Sequence, residues 1–128
     1  MTICYNLKED KMKILHTADI HLGAKNVRLS LDRQAKIREE QNRLITNLFS
    51  DAYRNDYDVV LICGDLFHSK NISSKITNNF FRSVENFVRP VLYVKGNHDE
   101  KFDFTNLPKN FIVLDGDFYE HNNVVFWG

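Results

Sequence analysis

Proline is scarce in this chain of 128 residues, with two, and glycine is little commoner, with five. Those counts exclude collagen-like and low-complexity architectures. Only two cysteines are present, Cys4 and Cys63, far apart in sequence. They make no disulfide framework, and a reducing cytoplasm is the expected setting. Cys63 closes an apolar run and reads as a buried thiol. Net charge is lacking too: 17 Lys and Arg stand against 17 Asp and Glu. The global basic field usual for a nucleic-acid binder is therefore missing, and only a local basic patch remains open. No segment approaches the ~18–20 apolar residues of a membrane helix. The stretch Met1 to Lys13 contains Cys4, Lys8, Glu9 and Asp10, without the apolar block of a signal peptide. What is present is ordinary for a globular chain: 43% hydrophobic and 27% charged residues. A chain of this size can bury about two-thirds of its unfolded surface around one core.

The apolar pattern alternates between two periods. Met12 to Leu15 is a short apolar run that leads into His16-Thr17-Ala18-Asp19. Ile37, Leu44, Ile45, Leu48, Phe49 and Ala52 then recur at helical spacing among charged residues, with Ser30 or Asp32 as cap. That stripe is expected to face the core. Val59-Val60-Leu61-Ile62-Cys63 has no polar alternation and reads as a strand buried on both faces. A second helix is expected on Ile76, Phe80, Val84, Phe87 and Val88, capped by Ser73 or Ser74. Val91 to Val94 and Phe111 to Leu114 read as further strands, and Phe118 to Trp127 as a hairpin around His121-Asn122-Asn123. Strands alternating with helices indicate an α/β fold with a mainly parallel β-sheet and flanking helices.

The chemistry-bearing residues follow the strands. Asp19 and His21 come after the first, Asp65 and His68 after the second, and Asn97, His98 and Asp99 after the third. In a parallel sheet these positions share one edge, where ligands bind. Clustered carboxylates and imidazoles call for a neutralising cation, and mixed oxygen and nitrogen donors suit Mn, Fe, Zn or Co. In Asp19-Ile20-His21 an extended backbone would aim both polar side chains the same way and turn Ile20 to the core. Gly64 and Gly96 allow sharp turns before Asp65 and Asn97. Taken singly, Asp19-x-His21 fits a solvated loop, Gly64-Asp65 a plain turn, and Asn97-His98-Asp99 an Asx turn. Together, each behind its own strand, they indicate a metal site.

Asp19-Ile20-His21, Gly64-Asp65-Leu66-Phe67-His68 and Gly96-Asn97-His98-Asp99 resemble the first three signature blocks of calcineurin-like metallophosphoesterases. The run from His16 to Gly23, with Arg38-Glu39-Glu40, further resembles the SbcD-like branch of double-strand-break repair exonucleases. The resemblance spans about residues 13–128. It implies the front half of a four-layer α/β/β/α sandwich, with residues 1–11 as an N-terminal extension and 12–128 as the N-terminal portion of the nuclease domain. It also implies two divalent metal ions, manganese first, with iron, zinc, magnesium or cobalt as alternatives. By resemblance Asp19 and His21 would hold one metal, Asp65 would bridge both, and Asn97 would hold the other. A hydroxide held between the ions would attack phosphorus. His98 would protonate the leaving oxygen, oriented by Asp99, and His68 would contact the phosphate.

The family completes its site with histidines in Gly-His and Gly-His-x-His blocks. Neither His16 nor His121 lies in such a block. His16 is expected to be a satisfied core or supporting group, and His121 a solvated loop residue. The segment is therefore expected to belong to a longer protein and to hydrolyse weakly on its own. The leading function is metal-dependent phosphodiester hydrolysis on DNA, as an exo- or endonuclease of repair and recombination. Lys25, Arg28, Arg33, Lys70 and Lys75 flank the motif loops as candidate DNA contacts, against the alternative of a solvated charged face. Resemblance further implies an SMC-like ATPase partner of the SbcC type and a homodimer of the full-length protein, whose surface could use the stripe from Ile37 to Ala52 instead of the core. Two other functions stay open: a phosphodiesterase acting on small phosphoesters, and a non-catalytic metal-binding or scaffold module.

Overall fold

A computed structural model describes residues 2–3, 11–69, 71–97, 99 and 102–128. Cys4, Lys70 and His98 thus lie outside the described residues. Two sheets form the middle of the molecule. One has four parallel strands in sequential order: β2 (Ile14–Ala18), β3 (Val59–Cys63), β4 (Val91–Val94) and β5 (Phe111–Leu114). The other is antiparallel, with β1 (Thr2–Ile3) against β7 (Val124–Trp127) and β7 against β6 (Phe118–His121). α1 (Leu31–Arg54) connects β2 to β3, and α2 (Ser74–Phe87) connects β3 to β4. Residues 95–110 join β4 to β5, with no helix among the described residues there.

The central strands are buried on both faces, and alternation sorts their side chains into two cores. Val60, Ile62, Val91 and Tyr93 pack against the helices through Phe49, Phe80, Val84 and Phe87. Val59, Leu61, Leu92 and Leu114 pack against Val124 and Phe126 of the second sheet. The described layers are therefore helix, sheet and sheet. The expected mainly parallel α/β architecture is what forms.

α1 begins at Ser30, whose hydroxyl accepts from the Arg33 amide at 3.4 Å. Its inner face is narrower than the sequence pattern suggests. Ile45, Phe49 and Ala52 are buried, whereas Leu44 is 62% exposed and Ile37 sits at the surface. A 24-residue helix outruns the short sheet it covers, so its apolar stripe reaches the core only over its C-terminal half. α2 uses the expected residues from Ile76 to Phe87. Val88, the last of that expected stripe, is instead the C-terminal cap, left-handed at φ 59° and exposed. Turning the chain towards β4 takes Val88 off the helix face.

His16 also departs from expectation. It is exposed on β2, the edge strand of the parallel sheet. His121 ends β6, half-buried, with its ring stacked on Tyr119 at 6.3 Å. The turn itself is Asn122-Asn123, with φ 49° and 61°, the left-handed pair of a tight type I′ hairpin. That turn draws His121 into the strand and away from solvent. No helix among the described residues is long and apolar enough to cross a membrane.

Candidate metal centre

The strand ends of the parallel sheet carry the candidate residues. Beyond β2 and β3 the two chain segments keep running side by side. The Asp19 amide donates to the Gly64 carbonyl at 3.2 Å, His21 to Asp65 at 2.9 Å and Leu22 to Leu66 at 2.8 Å. The His68 amide returns to the Leu22 carbonyl at 2.9 Å. This backbone zipper sets Asp19, His21 and Asp65 beside one another. One donor atom from each lies within 4.8 Å of the others. His21 Nε2 and the Asp65 carboxylate are 3.8 Å apart.

The extended geometry expected for Asp19-Ile20-His21 is not what the chain adopts. Asp19 and His21 are left-handed, at φ 51° and 49°, and Asp65 is too, at φ 46°. A sharp local twist, rather than strand alternation, aims the two donors together. Ile20 still packs against the helix-side core. Such conformations cost about 1–3 kcal/mol each for a non-glycine residue, and they cluster where function needs them. Three at one point, all on potential ligands, mark the site independently of sequence motifs.

Glycine is indispensable at one place here. A Cβ on Gly96 would fall 2.3 Å from the Asp65 amide nitrogen and 2.3 Å from its carboxylate. The loop after β4 can therefore press against Asp65 only without a side chain. Asn97 follows in an exposed turn at this same edge. His68 is exposed, its ring edge-on to His21 at 5.8 Å.

Asp99 does something the sequence did not reveal. It is fully buried. Its carboxylate accepts from the amides of Leu66 at 3.0 Å, Phe67 at 2.9 Å and Gly96 at 3.1 Å. The Tyr93 hydroxyl donates to it as well. Four donors on two carboxylate oxygens tie the loop after β3 to the loop after β4. Burial, with the Asp99 contact behind it, pushes the Tyr93 hydroxyl pKa strongly up, so this phenol stays a donor. Sequence reading missed Tyr93. Its signal was a lone hydroxyl in the buried run Val91 to Val94, where a buried Tyr needs a polar partner. Cys63, half-buried at the end of β3, has its thiol pKa pushed up by burial.

The basic candidates are spread around this edge. Lys25 and Arg28 are exposed in the loop after His21, Arg33 is exposed in the first turn of α1, and Lys75 is exposed in the first turn of α2.

The sequence profile of calcineurin-like phosphoesterases matches residues 12–127. The chain belongs to that family. Among curated proteins it is similar to one from Bacillus subtilis named as the SbcD component of nuclease SbcCD, 31% identical over 93 residues, covering 69% of this chain and 22% of the relative. A protein of the same name from Staphylococcus epidermidis is 27% identical over 92 residues, covering 69% of this chain and 23% of the relative. The chain thus spans under a quarter of those relatives' length. Its fold is similar to the crystal structure of Pseudomonas putida nuclease MPE, with TM-score 0.58 and 17% identity, over 85% of this chain and 50% of that one. In the phosphoesterase family a divalent-metal centre is expected, and the donor set fits one. Two carboxylates and an imidazole are hard and borderline ligands for a first-row divalent ion. Bonds of ~2.0–2.2 Å to such an ion span little more than 4 Å between opposite donors, so the observed spacing closes with small side-chain movement.

Proposed function

We propose that the chain is the front part of a metal-dependent phosphodiesterase that acts on DNA. The observation that carries this reading is the convergence of Asp19, His21 and Asp65 donors within 4.8 Å at the sheet edge. Similarity to proteins named as nucleases supports a nucleic acid as the substrate. In this reading Asp19 and His21 would hold one divalent ion, Asn97 would serve a second, and Asp65 would contribute to both. Manganese is the first candidate. The ions, when bound, polarise the phosphodiester and activate water for attack.

The chain's own residues then position and transfer. Asp65 is fixed by the tight approach of Gly96 and by the backbone zipper. His68, exposed beside His21, contacts the scissile phosphate. His98, next to Asn97 in the sequence, gives its proton to the leaving oxygen. Asp99 holds the backbone that presents both loops. Residues 12–128 are proposed as the front portion of a longer catalytic domain, working as a homodimer with an SMC-like ATPase.

His98→Ala in the full-length protein tests the chemistry. Loss of a general acid lowers cleavage by about 10²–10⁴-fold, while calorimetric manganese binding persists. Unchanged cleavage would remove His98 from this role.

A further inference from the structure

The strand-tip residues leave unexplained a basic hollow beside them. It is walled by α1, the loop after His21 and the start of α2. One part, of about 330 Å³, is lined by Gly23, Lys25, Arg38 and Ser73 among others. It continues at Arg38 and Ser73 into a part of about 670 Å³, which Lys75 and Glu39 also line. The walls are locked in place. The Gly23 amide donates to Gln41 Oε1 of α1 at 3.4 Å. A Cβ on Gly23 would sit 2.6 Å from Ile72, so the two loops meet closely there.

Charge is unbalanced in this hollow. Among the described residues, no carboxylate forms an ion pair with Lys25, Arg38 or Lys75, although Glu39 is on the same wall. Arg38 is half-buried, which makes an unmatched guanidinium more costly than on an open surface. The first turn of α2 carries no acidic residue. The space exceeds the ~30 Å³ share of one water many times over. Gly23, which lines the hollow, lies only two residues beyond His21 of the candidate metal centre.

We propose that this hollow is a backbone-phosphate subsite, with Arg38 at its centre. It would hold a nucleic-acid strand away from the bond that Asp19, His21 and Asp65 receive. The inference deepens the proposed function and rests on it: the substrate is a strand rather than a small ester. Arg is the residue suited to this, because its planar fork meets phosphate oxygens in pairs.

The test is fluorescence anisotropy of labelled single-stranded DNA with the full-length chain in EDTA, where neither metal nor cleavage intervenes. Arg38→Gln is expected to weaken binding at least about fivefold and to lower the salt slope by about one. Lys75→Gln should act in the same direction, and Arg38→Lys should recover part of the loss while confirming a folded protein. Arg82→Gln, exposed further along α2 and outside the hollow, is the control. Affinity unchanged in Arg38→Gln, or lowered equally by Arg82→Gln, overturns the subsite. Manganese-dependent hydrolysis of bis(p-nitrophenyl) phosphate by the wild type is measured in parallel. Its absence counts against the proposed function, whereas a failed anisotropy result with active enzyme counts against the subsite alone.

Discussion

Asp99 shows how one side chain can serve two loops. Its carboxylate gathers amides of Leu66, Phe67 and Gly96 together with the Tyr93 hydroxyl. Tyr93→Phe keeps the ring, which packs between Phe104 and Phe111, and removes only the donor. A hydrogen bond to a carboxylate is worth about 1.5–3 kcal/mol, and denaturant unfolding should register a loss of that order. A pH dependence accompanies it. The native Tyr93 pKa is raised, so its neutral form is favoured by folding. Its contribution is full below the unfolded value of ~10 and declines as pH rises beyond it. Wild-type stability should therefore fall more steeply than that of Tyr93→Phe above pH ~10. Parallel slopes would show that the phenol is not held neutral.

At the scale of elements, strain and capping can be read separately. Val88 is β-branched, exposed and left-handed at φ 59°. A left-handed conformation costs an L-residue roughly 1–2 kcal/mol, and glycine relieves it. Val88→Gly should thus raise the unfolding free energy by about 1 kcal/mol, as thermal melting will show. A drop would mean that Val88 contributes packing the structure does not show. β1 (Thr2–Ile3) was not read as a strand, whereas β2 to β7 and both helices were legible in the sequence because burial imposes its period on Val59 to Cys63 and on Ile76 to Phe87. Residues whose position depends on where elements end were not. Ile37 lies ahead of the half of α1 that reaches the core, Leu44 flanks the buried face of Ile45, Phe49 and Ala52, and His121 is drawn into β6 by the turn that follows. The candidate site was legible as three motifs behind three strands. The left-handed turns at Asp19, His21 and Asp65 and the amides of Leu66 and Phe67 on Asp99 were not, since both arise where the loop after β3 meets segments distant in sequence. The Tyr93–Asp99 contact spans only six residues but needs the loop after β4 to fold back on its own strand.

Taken whole, the molecule is a scaffold that brings three strand ends to one edge. The parallel register from β2 to β5 aligns the tips, the backbone zipper carries that alignment into the loops, and the second sheet seals the face opposite the helices. Among the described residues one group of potential ligands emerges, Asp19, His21 and Asp65. These 128 residues should therefore bind one divalent ion firmly. A firm second site is expected only with donors supplied from elsewhere in a longer protein. Calorimetric titration with manganese, comparing the wild type with Asp65→Asn, tests the central claim most directly. The account predicts saturable binding by the wild type and at least about tenfold weaker binding by the variant, a difference of ~1.4 kcal/mol. Absence of saturable binding, or equal affinity in the two proteins, would contradict it.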